Sequence, residues 1–99
     1  MLSVFAKRLK AARLAAKISQ ERLGVLAGID EMSASARMNQ YERGKHAPDY
    51  TMVHRLSTVL DVPEAYFYAA ADDEATLLLK FHRLTAPQRA VALALLSEL

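Results

Sequence analysis

The chain has no cysteine and no tryptophan, and only three glycines and three prolines in 99 residues. Without cysteine, disulfides and thiolate zinc sites are excluded, and a reducing cytoplasm is the expected setting. His46, His54 and His82 show no helical ligand spacing, so no metal site is expected. No stretch approaches the ~18–20 uninterrupted apolar residues of a membrane-spanning helix. There is no glycine-rich phosphate loop, and no nucleophile, base and orienting acid can be grouped, which argues against an enzyme. No cofactor is implied. What is present is 53% hydrophobic residues, with four Tyr and three Phe, enough for one small core.

The net charge of +2 conceals an asymmetry. Residues 1–55 hold ten Lys and Arg against five Asp and Glu, whereas residues 56–99 hold three against six. A basic front and an acidic back suit a molecule that approaches a polyanion with one face, although solvated surfaces also carry such charge. The first seventeen residues lack acids, and Leu2, Phe5, Leu9, Ala12 and Ala16 form one helical stripe. A transit peptide or membrane-surface helix would share this pattern. The small side chains in the stripe and the absence of a following cleavage site favour a first helix packed on the domain.

Ser19 is an N-cap for a helix over Gln20–Ala27, with Leu23, Leu26 and Ala27 available for packing. Gly24 costs about 1 kcal/mol relative to alanine inside that helix, which points to close approach of another helix. Gly28 is a left-handed C′ residue and Ile29 turns back to the core. Ser33 and Ser35 are both candidate N-caps for a second helix, in which Met38 and Tyr41 face inward and which Gly44 stops. Ala36, Asn39, Gln40 and Arg43 then fall on other faces. Asn and Gln can bond adenine bidentately, and Arg can bond guanine or phosphate. A solvated polar helix face is the competing reading.

Leu9, Arg13, Ile18, Ser19, Gln20, Leu23, Gly28, Ile29, Tyr41, Glu42, Arg43, Gly44, Lys45 and Pro48 occur in the order found in another group of proteins. Through them, residues 5–68 resemble the five-helix, lambda-repressor-like DNA-binding domain of the Cro/C1-type (XRE) helix-turn-helix family of phage repressors and bacterial regulators. The resemblance implies that Gln20 touches phosphate and braces the recognition helix. It also implies that Ser35, Ala36 and Gln40 read bases, with Arg37 and Asn39 flanking them. Arg43, Lys45 and the amides near Gly44 match the family's phosphate-contacting loop. The family's pairing of a first-helix arginine with a glutamate at the end of the recognition helix corresponds here to Arg13 and Glu42, expected as a partly buried ion pair. One departure stands out: fifteen residues separate Gly28 from Gly44, about four more than such a compact turn-and-helix unit uses. The extra residues are expected as an Asp30–Ala34 loop that lengthens the turn.

Beyond Lys45, Asp49 caps a helix running to about Leu60, Asp61 ends it, and Pro63 opens a short helix through Tyr68 in which Tyr66 and Phe67 close the core. Asp72 or Asp73 can cap a further helix through Arg83, and Thr85 with Gln88 forms a capping box before a last one. The expected fold is therefore all-α: a helix-turn-helix domain over 1–70 and a two-helix extension over 71–99. Seven consecutive apolar residues, Ala90–Leu96, cover more than one helix face and leave some of it exposed on a monomer. A homodimer through Leu77, Phe81, Val91, Leu95 and Leu96 is expected; the alternative is a tail folded back on its own domain. The expected partner is double-stranded DNA, read by two recognition helices about 34 Å apart on a pseudo-palindrome. Arg43, Lys45 and Lys10 would supply salt-dependent phosphate contacts. A repressor is the leading functional expectation, and an antitoxin or adaptor that uses the same fold to bind a protein is the alternative.

Overall fold

A computed structural model describes residues 2–99. The order of elements is α1 (Val4–Ala15), α2 (Gln20–Leu26), α3 (Glu31–Glu42), α4 (Tyr50–Leu60), a short 3-10 helix (Glu64–Tyr68), α5 (Asp72–His82) and α6 (Ala86–Ser97), with no strand among the described residues. The centre of the core takes one large, fully buried side chain from each of the first five: Leu9, Leu23, Met38, Leu56 and Phe67. Each lies on the apolar stripe of its own element, so five short amphipathic pieces share one interior.

Local chemistry sets most of the boundaries. Ser19 Oγ accepts from the Arg22 amide at 3.0 Å and Asp49 Oδ1 from the Met52 amide at 2.9 Å. The reciprocal Thr85–Gln88 capping box is formed at 3.3 and 2.9 Å. Gly28 (φ 93°), Gly44 (φ 72°) and Asp61 (φ 53°) all adopt the left-handed conformation that closes a helix. Around Gly44 this is a Schellman turn, in which the Lys45 amide donates to Gln40 O and the Gly44 amide to Tyr41 O.

The first helix departs from the expected stripe. Ala6, Leu9 and Ala12 are buried and Phe5 is half-buried against Phe67 and Tyr68, while Leu2 and Ala16 are exposed. Ser3 caps α1 through its hydroxyl, so Leu2 precedes the helix and Ala16 lies just past its last turn. The fifth helix also begins differently. Ala71 occupies the N-cap position without a side-chain bond, and Asp72 is the first helical residue. Asp72 instead accepts from Arg8, whose guanidinium also donates to the carbonyls of Ala69 and Ala70.

The largest correction concerns the turn. No Asp30–Ala34 loop exists, and neither Ser33 nor Ser35 is a cap; Asp30 Oδ2 accepts from the Met32 amide at 3.1 Å and α3 starts at Glu31. The extra residues lengthen the recognition helix by a turn. Four residues are close to the 3.6 of one helical turn, so they add a step to the buried stripe, with Ala34 preceding Met38, and keep the outer face nearly in register.

Candidate nucleic-acid interface

Orientation of α3 rests on two contacts with the rest of the domain. At the first, Gly24 of α2 crosses Ala34 so closely that a Cβ at position 24 would lie 2.8 Å from the Ala34 Cβ and 3.0 Å from its carbonyl oxygen. At the second, Arg13 of α1 grips Glu42 at the end of α3, with Nε to Oε2 at 2.6 Å and Nη2 to Oε1 at 3.1 Å. Glu42 is 3% exposed, and Arg13 also donates to the Ile18 carbonyl at 2.9 Å. A buried carboxylate is tolerated because its oxygens are filled. Gln20 joins the same node: its Nε2 donates to Glu42 Oε1 at 3.2 Å and reaches Asn39 Oδ1 at 3.4 Å. Side chains from α1 and α2 thus meet on one carboxylate of α3.

The outer face of α3 follows from that anchoring. At about 100° per residue, Ala36, Asn39, Gln40 and Arg43 point away from the buried stripe of Ala34, Met38 and Tyr41, while Ser35 and Arg37 lie on its two flanks. All six are exposed. Among the described residues, neither Arg37, Arg43 nor Lys45 is paired with a carboxylate, and the same holds for Lys10 and Arg22. By contrast, Arg8 and Arg13 are consumed by internal contacts, which removes two members of the basic front from any surface role. The amides of Gly44, Lys45 and His46 all donate to carbonyls at the end of α3. These amides are thus taken, and the cationic groups free at this turn are the side chains of Arg43 and Lys45.

Sequence reasoning missed Met32. The expected loop contains it, whereas it stands in the first turn of α3, 92% exposed and on the same face as Ala36 and Asn39. The signal available was the length of the segment, a whole helical turn, together with an acid at position 30 able to cap it.

A family model described as helix-turn-helix domain matches residues 4–66. The chain belongs to the helix-turn-helix domain family. Across its full length it is similar to the crystal structure of transcriptional regulator BswR, with a TM-score of 0.90 and 46% sequence identity, covering 100% of this chain and 95% of that one. No curated protein matches the chain. The similarity extends beyond the helix-turn-helix domain itself, so α5 and α6 belong to an architecture shared with that regulator.

Away from the helix-turn-helix, α5 is fastened to the body. Ala75 is buried, Leu78 and Leu79 pack on the core, and His82 and Arg83 reach Asp61 at the end of α4. A cleft of about 380 Å³ lies there, with His54 against Glu64 at 2.8 Å and His82 against Asp61 at 3.2 Å. The Glu64 carboxylate also stands beside the Tyr50 hydroxyl, and its charge raises the phenol's pKa above the usual value. Among the described residues no cluster of three or more His, Asp or Glu is placed to hold a metal ion. No described helix is long and apolar enough to cross a membrane.

The last helix is different. No residue of α6 is buried, and Val91, Leu93, Leu95 and Leu96 are all exposed. Leu77, Phe81 and Leu96, together with Leu78 and Leu93, line a narrow apolar cleft of about 180 Å³ between α5 and α6; Val91 and Leu95 lie outside it. Arg89 ties the hairpin together by donating to the carbonyls of Phe81 and His82.

Proposed function

We propose that the protein is a sequence-specific DNA-binding transcriptional regulator that acts as a homodimer on a pseudo-palindromic site and represses by occluding the polymerase. The observation that carries this reading is the outer face of α3: exposed Ala36, Asn39, Gln40 and Arg43, on a helix anchored through the buried Glu42 to Arg13 and Gln20. A polar helix face with uncompensated cations at its end suits the major groove, where Asn39 and Gln40 can bond adenine edges and Arg43 and Lys45 can take phosphates. Ser35 and Arg37, on the flanks of α3, are within the footprint of the groove walls. Gln20, at the start of α2, braces α3 from the side and offers an amide toward the backbone. The BswR structure is that of a transcriptional regulator, which supports the regulator part of this reading. The proposed setting is the cytoplasm, on bacterial or phage DNA.

Dimerisation is assigned to residues 71–99, through Leu77, Phe81, Val91, Leu95 and Leu96. The exposed apolar surface of α6 supports it, and the same surface is what favours the second reading, an antitoxin or adaptor whose partner is another protein.

Selection of bound sequences from a random DNA pool tests the proposal. The expected outcome is an inverted repeat with half-sites about one helical turn apart, whose binding is lost in Gln40→Ala. Weak, sequence-independent and steeply salt-dependent binding would overturn it, and co-purification of a second protein at fixed stoichiometry would favour the adaptor.

A further inference from the structure

Among the described residues, Met32 is the most exposed large apolar side chain apart from Leu99. It sits in the first turn of α3, four residues before Ala36 and seven before Asn39, and at the helical repeat these three form one line along the outer face. The line exists because the extra residues between Gly28 and Gly44 are helical. Had they formed a loop, position 32 would have had no fixed relation to the reading face. Its neighbour Glu31 is turned elsewhere, lining a cleft with Ser19, Glu21, Arg22 and Val25 on the α2 side. The carboxylate of Asp30 is occupied by the Met32 amide. The leading edge of the recognition helix therefore presents a long, uncharged, apolar side chain, with Glu31 on the α2 side and the Asp30 carboxylate taken up by the helix cap.

We infer that Met32 is a specificity-determining residue that reads the C5-methyl group of a thymine in the major groove. The inference rests on the proposed DNA-reading role of α3. Among groups on the base edges of that groove, the thymine methyl is the one apolar feature. A thioether side chain has no hydrogen-bond donor to strand there, and three rotatable bonds let it adapt to the groove floor. The axial rise from Met32 to Ala36 is about 6 Å, about one helical turn. Met32 therefore reaches beyond the segment that a recognition helix one turn shorter would cover. The added turn enlarges each half-site on the side of the helix N-terminus.

The test replaces each thymine of the selected operator in turn with deoxyuridine, which removes only the methyl group, and measures binding of wild type and Met32→Ala. Wild type should bind about three- to five-fold more weakly per half-site at one thymine, the size expected for one apolar carbon removed from water. Met32→Ala should bind the unmodified operator correspondingly more weakly and be indifferent to that substitution. Because the side chain is exposed, the variant should melt as wild type does, and Met32→Leu should retain the sensitivity. Identical deoxyuridine profiles for wild type and Met32→Ala at every position would overturn the inference while leaving the DNA-reading role intact. Failure of any sequence to be selected would overturn both.

Discussion

Glu42 anchors the end of α3, because its carboxylate is shared by Arg13 and Gln20 while being almost wholly out of water. Removing its charge leaves the Arg13 guanidinium, itself only 11% exposed, without a counter-ion. Loss of one partner of such a pair costs about 3–5 kcal/mol. Glu42→Gln should therefore lower stability by that order, read as a reduced urea midpoint with an unchanged slope, and an unaltered midpoint would refute the role. Motif resemblance names the two partners. Only the fold shows that Glu42 is deeper than Arg13 and that Gln20 completes the node, since burial depends on three helices meeting.

At the scale of elements, the crossing of α2 and α3 is decided at Gly24. Alanine there would be a better helix former by about 1 kcal/mol, but its Cβ would press on the Cβ, Cα and carbonyl oxygen of Ala34. Backbone atoms cannot swing aside, so Gly24→Ala should be destabilising by about 1–3 kcal/mol despite its propensity, as chemical denaturation would show. Glycine within a helix betrays such a crossing in the sequence, because the local cost needs a tertiary reason. The start of α3 is not legible in the same way. Asp, Ser and Ala serve a loop or a first helical turn equally well, and the helix prevails because Ala34 finds a buried place against Gly24. Ala71 before α5 shows the same limit, since the neighbouring Asp72 is drawn to Arg8 from a helix more than sixty residues earlier in the chain.

The whole molecule measures 50 × 28 × 23 Å, and α6 contributes no residue to its core. Leu95 is 65% exposed and outside the α5–α6 cleft, so a charge there does not disturb the monomer. Under the proposed dimer, Leu95→Glu should convert the protein from dimer to monomer at micromolar concentration by sedimentation, with the melting of the helix-turn-helix body retained; a wild type that is already monomeric would sink the dimer. Under the proposed DNA-binding role, phosphate contacts are expected to add at this scale. Arg43→Ala or Lys45→Ala should weaken binding to all sequences alike and reduce the slope of log affinity against log salt by about one unit for each cation removed. A variant that changed sequence preference with no change in slope would assign the side chain to base reading instead.

Helix identity, the caps at Ser19, Asp49 and Thr85, and the left-handed stops at Gly28, Gly44 and Asp61 were determined by the sequence itself, because each depends on residues within a few positions of one another. The basic front was also visible in the sequence, but not which of its charges are free: tertiary contacts take Arg8 and Arg13 inward and leave Arg37, Arg43 and Lys45 outside. Between the loop and the helix that the sequence allowed, tertiary structure decided that the four additional residues extend α3 and bring Met32 into line with Ala36 and Asn39. The physical reason is that a marginal first turn becomes stable only when its inward side chain, Ala34, has a partner to bury against.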